Sequence, residues 1–212
     1  LSVLRRAGAL VVLGALLALA ALPVPAAAQD FARGLAAYEA DDYAAALGDW
    51  RPLAWSGNAA AQYGLGFMYE KGHGVARDDA AAAGWYRRAA DQGIAPAQYA
   101  LGRLHAAGRG VTMDHGAAAR WYGLAAEQGE SSAQLAIGIL LQLGLGVPAD
   151  PVEAFKWFDL AAAMGREDAS VFRAEVAAQM DPATLAEAEA RAAAWRAAHP
   201  EQAGTDLQRL LR

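Results

Sequence analysis

The residues with the widest chemical reach in this chain are four histidines, His73, His105, His115 and His199. An imidazole ligates zinc, or takes a proton as a general base near neutral pH. Zinc on a helix needs a second ligand one turn away, and hydrolysis needs a nucleophile beside the base. No histidine here pairs at i, i+4 with another ligand, and none lies by a nucleophile motif. Each is therefore read as a packing or surface residue. The acidic residues are read the same way. Asp78, Asp114 and Asp150 suit helix capping, and Glu39, Glu70 and Glu127 suit solvated helix ends. No catalytic residue, metal or cofactor is expected, and the protein is expected not to be an enzyme.

A second candidate is glycine-rich. "KGHGVARDDAAAAGWYRRAADQG", residues 71–93, places two glycines before a helix-like run, as a phosphate-cradling loop would. Such a loop follows a strand and occurs once. Here the stretch returns 36 residues later as "AGRGVTMDHGAAARWYGLAAEQG" and again as "LGLGVPADPVEAFKWFDLAAAMG". Punctuation between helices is the better reading. The first glycine of each pair, Gly72, Gly108 or Gly144, is expected to end a helix in the left-handed conformation. The second, Gly74, Gly110 or Gly146, is expected to let the chain turn back.

The repeat organises the elements around these loops. Residues 58–93, 94–129 and 130–165 align without gaps, with Gln62, Gln98 and Gln134 in one column and Trp85, Trp121 and Trp157 in another. In the second half of each unit Ala82, Trp85, Tyr86 and Ala89, with their counterparts, fall at i, i+3, i+4 and i+7, the spacing of one buried helix face. The tryptophans are accordingly expected in the core rather than in a sugar-stacking ladder. Gly66, Gly102 and Gly138 sit inside the first helix, where glycine costs about 1 kcal/mol relative to alanine. They imply close approach of the paired helix, with its tryptophan as the expected neighbour.

These columns closely resemble the Sel1-like repeat (SLR) family, a branch of the tetratricopeptide-type helical hairpins; "AQYGLGFMYEKGHGVARDDAAAAGWYRRAADQG" fits its pattern along the whole unit. The resemblance implies an all-α, right-handed α-solenoid of helical hairpins, and a scaffold that binds proteins. Family members serve signalling, secretion, protein quality control and host contact. Envelope members are tied to sensor regulation or polysaccharide assembly.

The flanks differ. Residues 1–28 carry Arg5 and Arg6, an apolar run and Ala26-Ala27-Ala28, which read as a secretory signal peptide cleaved before Gln29. Residues 29–57 read as an opening tetratricopeptide-like hairpin, 166–200 as a capping hairpin and 201–212 as a tail. Periplasmic or secreted localisation and a soluble monomer after cleavage are expected. Removing Arg5 and Arg6 would take the net charge from −5 to −7, which excludes nucleic acid as an expected partner. The chain has no cysteine, so packing rather than disulfides must supply stability.

What varies between units is where a partner would be read. The columns 60/96/132, 64/100/136, 67/103/139 and 71/107/143 change from unit to unit and fall at i, i+4, i+7 and i+11, a single helix stripe. In a solenoid the first helices line the concave groove. Phe67, Lys71, Arg103, Ile139 and Leu143 are therefore the candidate partner-binding residues, for a protein or peptide. The alternatives are a cell-envelope hydrolase, which would need a serine or cysteine centre, and a glycan-binding module, which would need more aromatics than Phe67 in the groove.

Overall fold

The structure, a computed structural model, describes residues 26–200. Most of the expected leader (1–28) and the whole of the tail (201–212) lie outside the described residues. Among the described residues there are ten α-helices and no strand: α1 (Ala26–Glu39), α2 (Tyr43–Trp55), α3 (Ala59–Lys71), α4 (Asp79–Ala90), α5 (Ala95–Ala107), α6 (His115–Glu127), α7 (Ser131–Leu143), α8 (Pro151–Ala163), α9 (Glu167–Ala177) and α10 (Pro182–Ala198).

The chain folds as two compact units, one ending at Asp49 and the other beginning at Trp50. In the first, α1 and the start of α2 are joined by a turn in which Asp41 takes a φ of 59°. Arg33 Nε donates to Asp49 Oδ2 at 2.8 Å across that hairpin. In the second, α3–α4, α5–α6 and α7–α8 pair as hairpins, each second helix packs on the next first helix, and both α9 and α10 pack on α8. This is the expected all-α solenoid.

Local chemistry sets the elements. Asp78, Asp114 and Asp150 are extended N-cap residues whose carboxylates accept from backbone N–H groups of the first turn, satisfying donors that the helix leaves unpaired. The same aspartates close the hairpin loop, because their own N–H groups donate at 3.0 Å to the carbonyls of Tyr69, His105 and Leu141. Gly72, Gly108 and Gly144 end the first helices at φ of 76°, 63° and 66°, as expected.

The second glycine of the loop does more than turn the chain. A Cβ on Gly110 would stand 2.2 Å from the Asp79 backbone, and one on Gly146 would stand 2.3 Å from Gly116 N. Each loop thus seats its glycine against the first turn of the preceding unit's second helix. Backbone cannot yield there, so only hydrogen fits.

The aromatic partner of the helix glycines is a correction to the sequence reading. A Cβ on Gly66, Gly102 or Gly138 would meet Tyr86, Tyr122 or Phe158 at 2.6, 2.6 and 2.5 Å, and no tryptophan. These three rings are buried between the helices of their hairpins, whereas Trp85 and Trp121 are only half-buried. Trp157 alone of its column is in the core, at 5% exposure. The helix repeat places residues i+3 and i+4 on one face but cannot say which is central and which lies at its margin.

Recurrent glutamines stitch one unit to the next. Gln62, Gln98 and Gln134 are buried, and their Nε2 groups donate to the carbonyls of Ala54, Ala90 and Ala126 at 3.0, 3.1 and 3.2 Å, in the last turns of the preceding helices. Gln92 and Gln128 then donate to Gln62 Oε1 and Gln98 Oε1 at 2.7 and 2.8 Å. Met164 occupies that position in the third unit. Gln134 Oε1 is consequently a buried acceptor with no partner, an arrangement that costs stability.

Candidate binding groove

The candidate stripe runs along α3, α5 and α7, but only its C-terminal half is open. Pro96 and Ser132 are buried in the first of its columns, and Gly64 and Ala100 in the second. Gly64 is required rather than free, since a Cβ there would meet the Trp50 ring at 2.8 Å. Those two columns are therefore packing positions, which corrects the sequence reading.

The named residues lie in the open half. Phe67 and Ile139 are half-buried, each resting on the apolar cluster beneath it. Lys71 is exposed, with its ammonium 5.4 Å from the centre of the Phe67 ring. Leu143 is 61% exposed. The stripe thus presents apolar side chains on α3 and α7, the two outer helices of the three, a surface on which an extended segment or a helix can lie.

Arg103, between them, is not a free cation. Its Nη2 lies 2.5 Å from Glu70 Oε1, and Arg109 Nη1 reaches the same oxygen at 3.2 Å. Tyr86 Oη donates to Glu70 Oε2 at 2.9 Å, and burial first, then the Glu70 charge, pushes that hydroxyl far above its usual range. Arg109 also binds Asp79 through both carboxylate oxygens, at 2.8 and 3.0 Å. Hydrogen bonds from Arg109 and then Arg77 hold the Asp79 carboxyl down at about 2.

Glu70 was the residue the sequence concealed. Only 6% exposed, it is the centre of a network and not a solvated helix end. The signal available in sequence was the joint departure of one unit pair from the repeat: Glu70 stands against Ala106 and Gln142, and Arg109 against His73 and Leu145. Glu127 is exposed, as expected. The histidines stay dispersed, and no group of three metal-ligating side chains occurs among the described residues. His105 Nδ1 and His115 Nδ1 are both buried without a partner, and Arg87 Nη2 stands 3.4 Å from His105 Nε2.

These features define a helical-repeat scaffold, in which recurrent columns build the stack and only some of the variable ones stay open. The Sel1 repeat matches at residues 59–94, 95–130 and 131–165, and the chain belongs to that family. Among solved structures it is similar to a Sel1 repeat protein from Oxalobacter formigenes, at 32% identity and a TM-score of 0.67 over 73% of this chain and 63% of that one. It is also similar to a protective antigen of uropathogenic Escherichia coli with an SLR fold, at 28% identity and a TM-score of 0.59 over 83% of this chain and 47% of that one. The chain thus spans less than two thirds of the length of either. No curated protein matches it in sequence. Among the described residues no helix is long and apolar enough to cross a membrane.

Proposed function

We propose that the protein is an exported, non-catalytic adaptor that holds a protein or peptide partner against the open half of the α3, α5 and α7 stripe, in envelope signalling or secretion. The observation that carries this reading is the contrast within the first helices. Ala61, Gln62 and Gly66, with their counterparts, recur and are buried, while Phe67, Arg103 and Ile139, and beyond them Lys71 and Leu143, differ and remain accessible. Export rests on the leader-like character of residues 1–28, and the periplasm or the medium is the proposed compartment.

In this reading Phe67, Ile139 and Leu143 supply apolar contact and Lys71 supplies charge. Arg103 contributes the donors that Glu70 leaves unused, so an acidic group on the partner would share it with Glu70. The test is site-specific photocrosslinking from positions 71 and 143 in the native host. A shared adduct from both positions, lost in the Phe67→Lys variant, is the expected result. Adducts from neither position would refute the groove. Recovery of the protein in the cytosol with residues 1–28 retained would refute export.

A further inference from the structure

We propose that the outer face of α4 and α6 is a second docking surface, independent of the groove, and that it takes an amphipathic helix with acidic flanks from another protein, laid down as α10 lies on α8. The repeat register supplies the comparison. Lys156, Trp157 and Leu160 on α8 occupy the columns of Arg120, Trp121 and Leu124 on α6 and of Gly84, Trp85 and Arg88 on α4. Beneath α10 the α8 set is buried, at 9%, 5% and 3% exposure. On α6, Leu124 is 51% exposed, Arg120 is exposed and Trp121 is half-buried. Trp55, beside Trp85, is 67% exposed.

The molecule itself shows what covers such a face. Leu185, Ala188, Ala192 and Trp195 fall at i, i+3, i+7 and i+10 on α10, one stripe of a helix. Ala188 and Ala192 are fully buried, and the Trp195 ring meets Trp157 edge-on at 6.1 Å. Trp195 Nε1 donates to Glu127 Oε2 at 2.9 Å, which carries the contact back to the last turn of α6. Leu124 lies one turn before Glu127. The uncovered face therefore begins where the reach of α10 ends, and it continues an interface that already exists.

Charge selects the occupant. Where α10 meets α8, α8 supplies the carboxylates: Glu153 binds Arg191 at 2.8 Å, and Asp159 binds Arg196. On α4 and α6 those carboxylates are missing: Glu153 gives way to Ala117 and Ala81, and Asp159 to Gly123 and Arg87. The exposed cations there are Arg87, Arg88 and Arg120, of which Arg120 acts on the Asp114 carboxylate. A second copy of α10 would bring Arg191 and Arg196 against them. A helix carrying Glu or Asp beside its apolar stripe is complementary. A glycan is disfavoured because the guanidiniums already occupy ring faces: Arg87 stands 5.0 Å from the Trp121 ring centre, and Arg88 stands 5.1 and 4.9 Å from those of Trp55 and Trp85. Those arginines can serve an incoming carboxylate without leaving the rings.

The test uses two synthetic peptides that keep the Leu, Ala, Ala, Trp spacing of α10, one with glutamate and one with lysine at the flanking positions. Each is titrated calorimetrically into the protein. The acidic peptide is expected to bind and the basic one to bind at least tenfold more weakly. The double variant Leu124→Lys, Arg88→Glu, both at exposed positions, should weaken the acidic peptide at least tenfold at an unchanged thermal midpoint. Lys71→Glu with Leu143→Lys, which alters the groove, should leave that affinity unchanged. The proposal is overturned if neither peptide binds, if both bind equally, or if the groove pair rather than the Leu124 pair removes binding. It is also overturned if the protein self-associates through this face, so that Leu124→Lys halves its mass in solution, or if glucan oligosaccharides displace the acidic peptide.

Discussion

Repeats 1 and 2 share an apolar cluster and, beside it, a network centred on the buried Glu70 carboxylate, whereas repeat 3 meets its cap over buried aromatic and aliphatic surface with its ion pairs at the more exposed margin. At the first junction Arg103 and Arg109 converge on Glu70, Arg109 binds Asp79, and Gln98, held by Gln128, donates to the carbonyl of Ala90. At the last, α10 leans over α8 to bury Trp157 and Leu160, with Arg191 on Glu153 and Arg196 on Asp159 at the margin. The same stack of hairpins accommodates both. What cannot vary is the set of columns where backbones and rings approach, namely the helix glycines, their Tyr or Phe partners and the small residues between helices. Around that frame a junction combines buried area with paired charges, and the two differ in which of them lies deepest.

The largest effect expected from this difference is at the tryptophans. Trp157→Ala should cost about 3–5 kcal/mol by removing a core ring and leaving a cavity, while Trp121→Ala, at a half-buried site, should cost about half as much. Denaturant titration of the two variants decides the matter. Equal costs would mean that α10 does not protect α8 as described.

Next come the loop glycines. Gly93 and Gly110 both have positive φ, 87° and 68°, but a Cβ on Gly93 would meet nothing within 4 Å while one on Gly110 would meet the Asp79 backbone at 2.2 Å. Gly93→Ala should cost about 1 kcal/mol for the left-handed conformation alone. Gly110→Ala should cost about 1–3 kcal/mol beyond that, because the two units must move apart. Thermal midpoints that fall equally would remove the loop from the inter-unit contact.

The charged junction should be sensitive to acid, and the sign follows from the Asp79 carboxyl. Its folded-state value is lowered from 3.8 to about 2, so its contribution is complete above about pH 4 and is lost as the pH falls towards 2. The stability difference between the native protein and Asp79→Asn should therefore be constant at neutral pH and disappear in that window. Asp79 is partly exposed, so the difference is small. A difference independent of pH would show that the Arg109 pair contributes nothing.

The smallest change expected is a gain. Met164→Gln supplies the donor that Gln92 and Gln128 supply elsewhere, and it should stabilise the protein by about 1 kcal/mol. The same substitution in a Gln134→Leu background should lose that gain. Gains of equal size in both backgrounds would assign the effect to helix propensity instead.

Period, helix number within the units, capping aspartates and left-handed glycines were all legible in the residues 58–165, because each rests on local geometry: a carboxylate reaching a first-turn N–H, or a backbone angle only glycine adopts freely. The same reasoning placed Phe67, Lys71, Arg103, Ile139 and Leu143 on one stripe. It failed for Pro96, Ser132, Gly64 and Ala100, which vary in sequence yet are buried, Gly64 against the Trp50 ring. It failed again for Glu70, whose type alone suggested solvent.

By itself, then, the sequence determined the hairpin, its period and the face each helix turns inward, since those follow from hydrogen bonding and side-chain spacing within some forty residues. Only the tertiary structure decided which aromatic fills the hairpin, which variable columns remain open, where Glu70 finds its arginines and how far α10 reaches. The first is a contact between the two helices of one hairpin, twenty residues apart, and the last two join units more than thirty residues apart, as Arg109 to Glu70 and Trp195 to Glu127 show. Local periodicity carries no term for such a contact. Its strength is set by how two separately formed surfaces meet.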